Sequence, residues 1–202
     1  MRKLLFIYTI LIAFTILPQA VFSSTQLSVP FTSQAPDGVW IQPWQDACEE
    51  TSVYMVDRFY KNKSILNPVD AKKGILEIFS MKHQRHGESL DETASNIANI
   101  INAYLPWSAR VVENPSIHAL KSEIDNGRPV IVPFFAPALH NPHFTSDFPY
   151  HMGVISGYDD AKNVFILQEP GTMYGKDFMY TYDTVMNAMH DFIYGNVSTG
   201  PK

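Results

Sequence analysis

Apolar residues recur at helical spacing from Cys48 onward. Val53, Val56 and Tyr60 form a stripe with Ser52, Met55 and Phe59 beside it, which predicts a helix beginning at the cysteine. Glu49 and Glu50 fall in its first turn, where negative charge complements the helix dipole. The polar break "KNKSILNP" ends it, and "PVDAKKGILEIFSMKHQRHG" predicts a second helix. In "SLDETASNIANIINAYL" the period runs through Leu90, Ile97, Ile100, Ile101 and Leu105, and Ser89 to Glu92 fits a capping box for a third. A fourth, in "SIHALKSEIDNG", stops at Gly127 and gives way to a buried strand, Val130 to Phe134. Two further strands, "HMGVISGYD" and "NVFILQE", are joined by the turn "DDAKN", and "TYDTVMNAMHDFIYG" predicts a last helix. Helices come first and strands later without βαβ alternation, so the fold class is α+β.

The beginning of the chain departs from this pattern. Residues 1–23 carry Arg2 and Lys3, then an apolar run from Leu4 to Leu17, then small residues, the layout of a secretory signal peptide. Val21 and Ser23 suit the −3 and −1 positions, so cleavage after Ser23 is expected. That leaves one domain, 24–202, in the periplasm or outside the cell. The alternative is an uncleaved anchor, for which the run is short against the roughly 20 residues a span needs. No cysteine follows the run, which excludes a bacterial lipoprotein anchor.

Charge narrows the partners. Removing Arg2 and Lys3 takes the formal charge from −5 to −7. An acidic domain without basic clusters argues against nucleic acid and against electrostatic hold on anionic lipid. With the signal removed, no stable membrane insertion is expected. Nothing in the sequence fixes the oligomeric state. The chain has one cysteine, so an intrachain disulfide is impossible. An unpaired thiol in an exported protein is a liability unless it is buried or useful.

Cys48 at a helix start is placed where the dipole favours a thiolate, the nucleophilic form. The plain alternative is a small buried hydrophobe. A nucleophile needs a base, and His151, opening a predicted strand among apolar neighbours, is the best placed of seven histidines. The base needs an acceptor that fixes its tautomer. If the two strands joined by "DDAKN" pair antiparallel, Glu169 at the end of the second lies beside His151. Metal chemistry has less support. His140 and His143 have a spacing suited to chelation, but Pro142 interrupts them in a loop-like segment. A serine hydrolase has no Gly-x-Ser-x-Gly to rest on.

Segments in this order resemble papain-like cysteine peptidases. More closely, they resemble the bacterial cysteine peptidase-like family related to the double-glycine leader (bacteriocin-processing) peptidases. The resemblance rests on "VPFTSQAPDGVW", "PWQDACEETS", "GRPVIVP", "NPHFTSDFPYHMGVISGYDD" and "EPGTMYGKDFMYTYDTVMNAMHD", nearly the whole of 24–202. It implies a papain-like fold, a helical N-terminal part packed on an antiparallel sheet. It also implies Cys48 as nucleophile, His151 as base and Glu169 as the third member, where the family usually has aspartate. The oxyanion glutamine would be Gln45, with Gln42, six residues before Cys48, as the alternative. The function so implied is hydrolysis of peptide or amide bonds in a peptide or protein substrate, with no cofactor or metal. The alternatives are a secreted binding domain of the same fold, its groove supplied by aromatics such as Trp40, Trp44, Phe144 and Phe148, and an amidase or transferase acting on cell-wall peptides.

Overall fold

The structure is a computed structural model that describes residues 23–146 and 148–202. The apolar run expected to be a signal peptide lies outside the described residues. A short strand, β1 (Ser24–Gln26), leads through a long irregular segment to helix α1 (Cys48–Tyr60). Then come α2 (Pro68–His86), α3 (Ala94–Tyr104) and α4 (Ile117–Asp125). Strands β2 (Val130–Phe135), β3 (Tyr150–Asp159), β4 (Val164–Gln168) and β5 (Phe178–Thr181) follow, and α5 (Tyr182–Ala188) is last. Among the described residues no helix is long and apolar enough to cross a membrane.

Local chemistry explains the boundaries. Asn67 caps α2 by accepting from the Val69 and Asp70 amides, with Pro68 in the first helical position. Ser116 caps α4 through the Ala119 amide, and Gly127, at φ +75°, turns the chain away after it. The third helix begins later than the capping-box pattern predicts. Thr93 caps it through the Asn96 amide, Ser89 donates to the Glu92 carboxylate, and Leu90 is exposed. The difference is tertiary: the Glu92 amide, which a capping box would give to Ser89, is taken by Glu49 of α1. The last helix is also shorter than predicted. It stops at Ala188, because Met189 leaves to bridge Phe134 of β2 and the His190 amide donates to Pro133.

All strand pairs are antiparallel and β3 is the spine. One edge of β3 pairs with β2 along its first half and with β1 at its end, and the other edge pairs with β4. Strand β4 then pairs with β5. Pro133 is tolerated because, among the described residues, no strand pairs with the outer edge of β2, where an isolated bridge at Phe134 and the His190 amide use the Pro133 carbonyl and not its missing N–H. Helices α1 to α3 cover one face of the sheet, in a core with Tyr150 and Met152. Helices α4 and α5 cover the other, with Phe134, Ile155, Leu167 and Tyr180.

Helix α1 lies between α2, α3 and β3, and every residue from Cys48 to Asp57 is buried. The single apolar stripe read from the sequence therefore understates its burial. Ser52 donates to the Met152 carbonyl at 3.3 Å, tying the helix to β3. On its other side Tyr54 lies so close to Gly74 of α2 that any Cβ there would overlap the ring.

Candidate active site

The predicted triad comes from three segments, the start of α1, the start of β3 and the turn after β4, and α1 packs against β3. Cys48 is the first residue of α1, 5% exposed, in the apolar cluster that contains Tyr150 and Met152. His151 lies between those two on β3, opposite Phe134 of β2. Strand alternation puts its ring on the face away from Tyr150 and Met152. Glu169 directly follows β4 and is fully buried.

His151 and Glu169 are joined through Nε2 and Oε1. The same Oε1 accepts from the Gly171 amide at 2.9 Å, and Oε2 accepts from the Tyr180 hydroxyl at 3.1 Å. Tyr180 in turn accepts from Asn141 Nδ2 at 2.6 Å. Burial first, and then the Glu169 carboxylate, push the Tyr180 phenol far up, so it stays a donor. The turn that carries Glu169 closes on itself, its amide donating to the Gly175 carbonyl, and a Cβ at Gly175 would collide with the Glu169 backbone. Phe144 and Phe148 meet the imidazole edge-on at 5.4 and 5.7 Å. These walls leave one carboxylate with three donors and fix which nitrogen of His151 faces it. Nδ1 is thereby turned away from the carboxylate.

Cys48 is held differently. Its Sγ donates to Glu49 Oε2 at 3.0 Å, and among the described residues no hydrogen bond joins it to His151. The helix start was expected to favour the thiolate. Here burial first, then Glu49, and more weakly Glu50 and Asp91, push the thiol well above its ordinary value.

The glutamines also separate. Gln42 is exposed and its amide donates to the Asp46 carboxylate. Gln45 is exposed, three residues before Cys48. A third glutamine, not singled out from the sequence, is buried beneath them. Gln34 Nε2 donates to the carbonyls of Trp44 at 3.1 Å and Gln45 at 2.9 Å, and its own amide donates to the Pro170 carbonyl at 2.9 Å. Gln34 thus ties the turn before the cysteine to the turn after the acid. Its signal lay in "VPFTSQAP", one of the segments that carried the family resemblance, but spacing to Cys48 directed attention elsewhere.

His140 and His143 occupy the loop after β2, where His143 stacks near Tyr174 at 4.8 Å. Among the described residues no group of three or more His, Cys, Asp or Glu side chains could hold a metal. That loop also lines a cavity of about 330 Å³ walled by Pro137, Asn141, Phe144 and Phe148, next to His151. A larger cavity of about 540 Å³ lies among α3, α4 and β2 and is lined by neither Cys48 nor His151.

Comparison with known proteins places the fold. The sequence matches the Peptidase_C39 like family over residues 26–199. The chain belongs to that family. Its fold is similar to a crystal structure assigned to a C39-like peptidase from Bacillus anthracis. The TM-score is 0.57 and identity 18%, covering 83% of this chain and 92% of the other. At that identity the likeness carries the fold alone: an α+β, C39-like peptidase arrangement. No curated protein matches the chain in sequence.

Proposed function

We propose that the protein is an exported thiol hydrolase that cleaves peptide or amide bonds through an acyl-enzyme on Cys48. The observation that carries this reading is the buried His151–Glu169 pair, with its carboxylate fully supplied with donors, at the strand against which the cysteine helix packs. In the mechanism Cys48 Sγ must leave Glu49 and swing out of the Tyr150–Met152 cluster to give its proton to His151 Nδ1. The thiolate attacks the carbonyl carbon, and the oxyanion is held by the Cys48 amide and a glutamine. Gln45 is preferred as that donor, because the amide of Gln42 is engaged by Asp46. His151 then returns the proton to the leaving amine and assists the water that releases the acyl group. Glu169 steadies the imidazolium. No cofactor or metal takes part. The substrate is a peptide or protein outside the cytoplasm, with residues 1–23 removed. Mass spectrometry of the exported protein should find Ser24 at its N-terminus.

A second reading has its own observation. The thiol bonded to Glu49 and pushed upward suits a binding domain that keeps the fold without catalysis. Amidase or transferase chemistry on cell-wall peptides would use the same triad. A panel of peptide and amide substrates, tested with the wild type and Cys48→Ala, separates these readings. Hydrolysis that disappears in the variant supports the enzyme, and its nature on the panel identifies the substrate class. Hydrolysis unchanged in Cys48→Ala would sink the mechanism.

A further inference from the structure

The first turn of α1 carries three successive residues, Cys48, Glu49 and Glu50, and no side chain caps it. Acidic residues there would ordinarily face water. Both instead point inward and are fully buried. Glu49 is held at two points: Oε1 accepts from the Glu92 amide at 3.0 Å, and Oε2 accepts from Cys48 Sγ. Glu50 pairs with Lys82 of α2, itself 2% exposed. The other titratable groups facing this site are Asp46 before the helix, Asp91 and Glu92 in the loop before α3, and Tyr150 of β3. Behind Tyr150 lies Asp191, at 3.4 Å from its hydroxyl. Several carboxyls thus share one ammonium in a space almost closed to water. Burial first, then the Glu50 charge, push the Glu49 carboxyl up to about 8.

We propose that Glu49 governs the reactivity of Cys48: ionised, it holds the thiol proton on sulfur, and neutral, it leaves that proton free to depart. In the ionised state the S–H bond stays intact and donates to Oε2. In the neutral state the carboxylic O–H becomes the donor and Sγ the acceptor. The sulfur's own proton then passes to a base, water in the alkylation assay and His151 in the proposed mechanism, leaving a thiolate, with no other bond made or broken. The fixed contact to the Glu92 amide keeps Glu49 beside the sulfur in both states. This deepens the proposed function, because Cys48 must be the nucleophile for the control to matter to catalysis. Its test does not depend on turnover.

The single cysteine makes the readout unambiguous. Iodoacetamide alkylation of Cys48, followed by intact mass across pH, gives the ionisation midpoint of the thiol. In Glu49→Gln, which keeps the shape and loses the charge, the midpoint should fall by about one pH unit or more, roughly tenfold more thiolate at a given pH. An unchanged or raised midpoint overturns the proposal, whatever the activity does. A fallen midpoint in a protein that hydrolyses nothing leaves the proposal standing and removes the proposed function instead. If Glu49→Gln does not fold, the reciprocal measurement uses Cys48→Ala. Carboxyl carbon NMR of the glutamates should then show Glu49 titrating at higher pH than in the wild type, because a donor to its ionised form is lost. No movement of that titration overturns the proposal.

Discussion

Two glutamates, Glu169 and Glu49, are equally buried and flank the two halves of the same candidate site, yet their surroundings are opposite. Glu169 receives His151, the Gly171 amide and the Tyr180 hydroxyl, and among the described residues no second carboxylate touches it. Glu49 receives one amide and one thiol, and its neighbours include Glu50, Asp91 and a shared Lys82. A buried carboxylate is tolerable where donors converge on it, and becomes a proton store where other acids do. The sheet side of the site is therefore a fixed frame, while the helix side can change its protonation within the range cells experience. The contrast also shows why residue type alone says little about a buried acid.

The strongest way to break the comparison is to disable the frame. Glu169→Gln keeps the packing but supplies an amide that can lock the wrong imidazole tautomer. The rate constant for substrate hydrolysis should fall by about 10⁴-fold, roughly 5 kcal/mol of barrier, with the thermal midpoint little altered. A loss below tenfold would mean that the pair is structural. Next comes the helix side. Lys82→Met leaves Glu50 without its counter-charge and should cost about 3–5 kcal/mol in chemical denaturation at neutral pH. A cost under 1 kcal/mol would show that water already reaches the pair.

The smallest effect is a slope. Glu49 keeps its proton in the folded chain to about 8, but unfolded it would lose it near the ordinary glutamate value of 4.5. Between those values folding takes up a proton, so stability from this group is full below 4.5 and is lost as pH rises to about 8. The expected slope is about −1.4 kcal/mol per pH unit from Glu49 alone. Glu50 is shifted in the same direction and adds to it. The surface acids with lowered values, exposed Asp37 and half-buried Asp159, Asp160 and Glu123, act in the opposite sense but at lower pH. Urea midpoints measured from pH 5 to 8 should fall in the wild type and flatten in Glu49→Gln. Parallel curves would assign the slope elsewhere.

The order of helices and strands, the Gly127 stop and the hairpin across 159–163 were all legible, because period and turn chemistry are local. What was not legible depends on contacts distant in sequence. The inward turn of Glu49 and Glu50 arises because α1 is enclosed by two helices and a sheet, and a one-dimensional stripe cannot register burial from every side. Helix α3 starts late because Glu92 answers to a residue 43 positions earlier. Strands β1 and β5, of three and four residues, are too short for alternation to stand out. In the candidate site, His151 and Glu169 could be set side by side from strand pairing. Tyr180, Asn141 and Gln34 could not, since each enters from a separate segment and carries no spacing rule. Gln34 lies beneath the turn before Cys48 without being its neighbour in sequence, so spacing to the cysteine does not point to it.

Gln34 carries a consequence for the order in which the site is assembled. Its partners Trp44 and Gln45 lie ten and eleven residues downstream, whereas the Pro170 carbonyl that receives its amide, and the Ser33 hydroxyl, lies well over a hundred residues away. Contacts of such separation close late in folding, since the intervening loop must first be brought together. The half of the strap that joins Gln34 to Trp44 and Gln45 needs no residue beyond the approach to α1, whereas the other half waits for the Pro170 turn. Only when that turn arrives are the cysteine turn and the acid turn buckled to one another.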